Sequence, residues 1–275
     1  MPSLHEIKIG CCGWSYEDWK GVLYPADARA GEFLGLYAQH FDIVEVDSTF
    51  YRIPSRRTVE GWAERTPDHF RFTLKLPQII THEKMLRDCD EDLEAFLSVA
   101  RLLGEKLQCV CLQFGYFNRE TFPSLRAFLD LLEPFLDRWP RDIAAAVEIR
   151  NRAWLGREWA DCLRRHNAAM VLVEQSWMPS PSQITQKLDA ATGPFGYVRL
   201  LGDRKAIEKI TTTWNKIVID RSDELGRVAE AIRRMARSLA VAVFANNHYA
   251  GYAPATVETL RQLVSVPPNT TKGPD

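Results

Sequence analysis

The 275-residue sequence predicts an α/β protein built as a single (β/α)8 TIM barrel, and three observations lead there. Short β-branched runs alternate with amphipathic stretches from one end to the other. The length suits eight such units in one barrel. The first strand-to-helix turn reads GCCGWS, not the G-x-G-x-x-G that opens a dinucleotide-binding sheet.

In chain order, the expected strands are Ile7–Cys12, Asp42–Ser48, Phe70–Lys75, Leu107–Phe114, Ala144–Arg150, Ala169–Glu174, Gly196–Leu201 and Leu239–Asn247. Each is a short apolar run bounded by turn-forming or polar residues. Between them lie patterns such as DCDEDLEAFLSVARLLG and DELGRVAEAIRRMARSLA, with apolar residues three and four apart, as on one helix face. The connection around Ser182–Thr192 carries the weakest helical pattern, so an irregular sixth crossover is expected. No Pro/Gly/Ser-rich linker divides the chain. Residues 1–266 are therefore expected to form one barrel domain, and 267–275 (PPNTTKGPD) a disordered tail.

Composition narrows the function classes. Lys and Arg number 35 against 36 Asp and Glu, so no global field draws in nucleic acid or an anionic membrane. No run approaches the ~18 apolar residues that a membrane span requires. The start, MPSLHEIKIG, lacks the apolar core of a secretion signal, and a cytoplasmic location is expected. The six cysteines contain no Cys-x-x-Cys and read as buried free thiols.

Strand periodicity places the polar residues. Along the fifth strand Ala144, Ala146, Glu148 and Arg150 share one face, with the charged pair at the C-terminal end. By the same alternation Glu45 and Asp47 share a face of the second strand. Arg71, Thr73 and Lys75 share one on the third, and Cys109, Cys111 and Gln113 on the fourth. The sixth strand ends at Glu174, the seventh carries Tyr197 and Arg199, and the eighth ends in Asn246 and Asn247. Active sites of this fold lie at the C-terminal rim of the barrel. Glu45, Lys75, Glu148 and Arg150 are the candidate catalytic groups: carboxylates for acid–base work, cations for developing negative charge. Trp14, Tyr51, His82, Gln113, Trp154, Glu174, Arg199, Asn246 and Asn247 are the candidate ligand-binding set. The competing reading is a neutral polar plug in which Lys75, Arg150 and Arg199 compensate Glu45, Glu148 and Glu174.

Two further expectations concern ligands. THEKM lacks the second histidine of H-E-x-x-H, and Lys75 and Arg150 compete for any carboxylate ligands. No metal site and no cofactor are therefore expected, although a carboxylate-bound divalent ion using Glu45, Glu148 and Glu174 stays open. The loops RLLGDRK and ANNHYAG after the last two strands suit an anion, held by Arg199, Asn246 and Asn247 beside Gly202. The alternative is that the two asparagines only cap the turn into the last helix.

The segments GCCGWSYEDWKGVLYP, FDIVEVDSTFYRIPS, TPDHFRFTLKLPQIITH, LQCVCLQF, AVEIRNRAW, YVRLLG and VFANNHYAGYAP, in this order, resemble the YecE-like proteins of unknown function. The resemblance runs from about Ile7 to Val264 and implies a TIM barrel similar to endonuclease IV and the sugar isomerases. It implies that Gly13, Trp14, Glu45, Ser48, Tyr51, Lys75, His82, Gln113, Glu148, Arg150, Trp154, Arg199, Asn246 and Asn247 fall on the family's motif positions. The family usually has aspartate where this chain has Glu174. Three functions remain in view. The first is an enzyme acting on a sugar-like or phosphorylated small molecule, by hydrolase, lyase or isomerase chemistry. The second is a metal-poor relative of abasic-site endonucleases acting on nucleic acid, disfavoured by the balanced charge. The third is a non-catalytic binder of an anionic ligand.

Overall fold

Eight parallel strands close on themselves in sequence order, β1 (Ile7–Cys12), β2 (Ile43–Val46), β3 (Arg71–Lys75), β4 (Leu107–Gln113), β5 (Ala145–Glu148), β6 (Ala169–Glu174), β7 (Gly196–Leu200) and β8 (Val241–Ala245). The structure, a computed structural model, describes residues 4–265, so the tail expected at 267–275 lies outside the described residues. β1 and β6 have the bounds that the sequence predicts, and the others fit within the expected runs.

The alternation of strand side chains divides the apolar residues into two packed groups. Ile43, Cys109, Cys111, Ala146, Val171, Val173, Tyr197 and Phe244 fill the barrel interior. Val44, Phe72, Val110, Val147, Leu172 and Val198, one residue out of phase, pack outward beneath the helices. The interior is tight. A Cβ on Gly10 would lie 2.0 Å from the carbonyl oxygen of Ile43, so only glycine fits where β1 meets β2. Gly10→Ala is expected to cost about 1–3 kcal/mol from overpacking, or roughly 2–12 °C in Tm. A thermal melt unchanged from the parent would show that the two strands part without cost.

Two crossovers depart from regular helices. The sixth is irregular, as expected: its helix, Pro181–Lys187, has seven residues. Ser180 and Gln183 form a capping box at its start, with Pro181 in the first turn. The first crossover is equally irregular, which the sequence reading does not anticipate. It holds a five-residue helix, Phe33–Tyr37, and short 3-10 turns. Aromatic packing replaces helix length there: Trp19 lies against Tyr16, Tyr24 and Tyr37, and Tyr24 stacks on Phe33. Among the described residues no helix is long and apolar enough to cross a membrane.

Candidate functional site

The C-terminal mouth of the barrel is closed by an ion network with Arg199 at its centre. Arg199 Nε and Nη2 donate to Glu45 Oε1 at 3.1 and 2.6 Å, and Nη1 donates to Glu148 Oε2 at 2.6 Å. Tyr197 donates its hydroxyl proton to the other oxygen of Glu45. Arg150 Nε donates to Glu148 Oε1 at 2.5 Å, and its Nη1 donates to the side-chain oxygen of Gln175. Asp47 Oδ1 stands 3.4 Å from Lys75 Nζ and 3.5 Å from Arg199 Nη2, within coulombic reach of both but hydrogen-bonded to neither. Glu45, Asp47 and Glu148 thus balance Lys75, Arg150 and Arg199. The local structure fixes this arrangement. The Thr49 hydroxyl lies 2.9 Å from the Val46 carbonyl and 2.8 Å from that of Lys75, and accepts the Lys75 N–H at 3.0 Å.

This network corrects the sequence reading at several positions. The neutral plug exists, but Asp47 holds the place assigned to Glu174. Glu174 is out of phase with the inward Ala169, Val171 and Val173, and it points outward between helices. Glu148, a candidate acid or base, has both oxygens engaged by guanidinium groups. Burial works to raise its carboxyl, but Arg150 and Arg199 outweigh it and hold the group at about 2. At neutral pH it is a fixed anion, poorly suited to handing over a proton. Burial pushes Glu45 above the usual carboxylate range, and Arg199 pulls it back. Glu45 and Glu148 are fully buried with the Arg199 guanidinium between them, which leaves no room for the glycosidic bond that a two-carboxylate hydrolase must flank.

The remaining candidates divide between the mouth and the packing around it. Trp14 meets Trp62 and Phe72 at 5.6 and 6.4 Å, and Trp154 stacks on Phe117 and Phe128 at 6.0 and 5.7 Å. Both rings act as packing beneath the rim rather than as open platforms. Tyr51 is 70% exposed beside Phe50. Gln113 donates to the Phe114 carbonyl at 3.0 Å. Asn246 accepts the His248 N–H at 3.0 Å and Asn247 accepts that of Ala253 at 2.9 Å, which is the capping alternative. Gly202 is left-handed, and the backbone of His248 and Tyr249 leaves no room for a side chain there, with 2.5 Å to the His248 oxygen from a built Cβ. That close approach serves packing. Arg199 aims its donors at carboxylates, whereas Lys75 and Arg150 keep donors that no acceptor among the described residues takes up.

His82 is the other group with unspent chemistry. It sits in a π-helical turn, Ile79–Glu83, followed by Met85, Leu86 and Asp88 in left-handed conformations that non-glycine residues rarely adopt. The ring stands perpendicular to that of Phe50, centroids 5.1 Å apart, and Lys75 Nζ lies 4.4 Å over the same phenyl ring. Burial, then Lys75 and Arg150, pull His82 below the usual histidine range, so it is neutral at pH 7. Thr81 Oγ lies 2.8 Å from His82 Nδ1 and can donate its own proton to the Pro77 carbonyl at 3.5 Å. In that arrangement Nδ1 carries the imidazole proton and Nε2 keeps a lone pair.

Cys12, Glu45 and Asp47 offer ligand atoms within 4.8 Å of one another, the spacing of a metal site. The place is taken by a cation already, since Arg199 Nη2 reaches both carboxylates. Burial also pushes the Cys12 thiol well up, away from the thiolate that a metal requires. Sequence reasoning missed Gln175, Thr49 and Tyr197 as parts of the network. Tyr197 was visible in phase with Arg199, whereas Gln175 follows a strand and carries no signal beyond its position.

A family profile described as "Protein of unknown function DUF72" matches residues 8–274. The chain is 34% identical over 147 residues to the UPF0759 protein YecE of Escherichia coli K12, covering 53% of this chain and 48% of that protein. It is 33% identical over 157 residues to the UPF0759 protein YunF of Bacillus subtilis, covering 54% and 52%. The chain thus spans about half the length of the curated relatives it matches. The crystal structure of a DUF72 family protein from Thermotoga maritima superposes with a TM-score of 0.75 at 27% identity, covering 95% of this chain and all (100%) of that one.

Proposed function

The chain belongs to the DUF72 family, a family of unknown function, and we propose that it is an enzyme that holds a small, oxygen-rich anion over the barrel mouth and moves a proton on it. The ligand class is sugar-like or phosphorylated. One observation carries this reading: two cations with donors to spare, Lys75 and Arg150, flank a neutral His82. Lys75 Nζ has a single ionic neighbour, Asp47 at 3.4 Å, and no hydrogen-bond acceptor among the described residues. An ammonium and a guanidinium suit a carboxylate, a phosphate or the oxyanion that forms when a proton leaves a carbon next to a carbonyl. The neighbouring imidazole, with Nε2 unprotonated, can take that proton.

The test is a thermal-shift screen of sugar acids and sugar phosphates, followed by NMR of the stabilising compounds in D2O. At a hundredfold excess over Kd a ligand adds about 2.7 kcal/mol, worth roughly 5–11 °C for a chain of this size. Lys75→Met should abolish the shift, and the parent should exchange a carbon-bound proton of the ligand for deuterium. A shift that survives Lys75→Met would overturn the site. Stabilisation without exchange or product would leave a non-catalytic binder.

A further inference from the structure

Glu174 opens a second site, on the far side of β6 from the barrel mouth. A cavity of about 320 Å3 lies between the end of β6, the start of the helix Pro181–Lys187 and the helix Ser222–Met235. Its walls carry two carboxylates, Glu174 and Glu224, and two guanidinium groups, Arg221 and Arg227. Arg221 is already committed: its Nη1 pairs with Glu224 at 3.5 Å, its Nε donates to the Tyr249 carbonyl at 3.2 Å, and it lies 5.4 Å over the Tyr249 ring. Glu174 and Arg227 have no hydrogen bond or ion pair through their side chains among the described residues.

The wall contains an independent sign of a missing partner. Tyr249 is 1% exposed and lines the cavity, yet its hydroxyl meets no hydrogen-bond partner among the described residues. A buried hydroxyl left unpaired costs about 1–3 kcal/mol, and apolar packing would have cost nothing. A phenylalanine would fill that space as well; the hydroxyl makes sense if something polar meets it.

We propose that this cavity binds a small zwitterion of amino-acid type, its ammonium held by Glu174 and the Tyr249 hydroxyl oxygen and its carboxylate by Arg227. The ammonium supplies the donors that Glu174 and Tyr249 lack, and the carboxylate supplies the acceptor that Arg227 lacks. A lone cation would meet Arg221 and Arg227, and a lone anion would meet Glu174 and Glu224. Charge of both signs at opposite ends satisfies all of them. The volume, near the lower end for small-molecule pockets, suits a ligand of amino-acid size.

Burial, then Glu224, lifts the Glu174 carboxyl to about 7, while Arg227 and Arg221 pull it down. Tyr249 is the remaining titratable group facing it, itself raised by burial. The ammonium requires the ionised carboxyl, so affinity should rise about tenfold between pH 6 and pH 8.

The experiment is a thermal-shift and calorimetric titration of the protein with each proteinogenic L-amino acid at pH 8 and pH 6. Methylamine and acetate serve as separate probes. At least one amino acid should bind, more tightly at pH 8. Arg227→Ala, on an exposed side chain, and Glu174→Gln, of unchanged size, should each weaken it at least tenfold. Tyr249→Phe should leave the unliganded protein as stable as the parent, or more so, and weaken binding. Failure of every amino acid to bind would overturn the proposal. So would full binding of methylamine or acetate alone, or binding unchanged in Glu174→Gln. Lys75→Met should leave this binding intact, which separates it from the mouth.

Discussion

Arg199→Met is expected to lower the Tm by roughly 6–20 °C, more than any other single rim substitution. Methionine keeps the length and packing of the side chain but removes the one charge that touches both fully buried carboxylates, Glu45 and Glu148. Removing one partner of a buried ion pair costs about 3–5 kcal/mol, because the other charge stays in the interior unpaired. Arg150→Met should cost less. Glu148 would keep Arg199, and the Arg150 side chain is 13% exposed, so water already screens it. The pH dependence has a definite sign. Glu148 is held down at about 2 in the folded protein, below the ordinary glutamate value near 4.3. Its contribution to stability is complete above the unfolded value and is lost as the pH falls toward 2. Acid should therefore narrow the gap between parent and variant. A pH 7 melt of Arg199→Met within a degree of the parent would mean that water, not the guanidinium, neutralises the two carboxylates.

The strand phase that predicts the Glu45, Lys75, Glu148 and Arg199 cluster is legible because those strands pair small or polar inward residues with apolar outward ones. On β5 the inward Ala144 and Ala146 lead to Glu148 without ambiguity. β6 offers no such contrast. AMVLVE is apolar on both faces, as buried parallel strands are, so its terminal Glu174 could belong to either side. Read by parity with the small Ala169, the glutamate falls outside, where the structure has it.

The π-turn and the left-handed residues after it were invisible for a different reason. Ile79–Glu83 and Met85–Arg87 contain no glycine, asparagine, aspartate or proline, the residues that announce such backbone, and Asp88 alone of these left-handed residues is of such a type. Tertiary contacts impose the conformation: Leu86 is buried and its N–H reaches the Ile80 carbonyl at 2.9 Å. His82 was therefore found as a motif residue, while the reason for its orientation came only with the fold. The aromatic candidates show the converse. Trp14 and Trp154 follow strand ends, which is where a platform would stand, but neighbouring helices supply Trp62 and Phe128 to cover their rings.

His82→Gln should separate binding from chemistry. Glutamine can keep a contact with Thr81 while removing the imidazole that accepts a proton, so ligand affinity should stay within a few-fold of the parent. Turnover should fall by roughly 10²–10⁴-fold, the usual worth of general acid–base catalysis. The pH–rate profile gives the readout that a structural role would not move. His82 lies below the ordinary histidine value near 6.5, pulled there by burial and by Lys75 and Arg150. The base form is complete at pH 7, and kcat/KM should decline only on the acid side, below that value. Removing the Lys75 charge weakens one cause of the shift, so in Lys75→Gln any residual activity should lose its acid limb at a higher pH. Gly115→Ala offers a steric control, since its Cβ would stand 3.4 Å from His82 Nε2 and crowd the atom that meets the substrate. An unchanged acid limb in His82→Gln, with turnover intact, would remove the histidine from the reaction and return the proton transfer to Lys75 or to water.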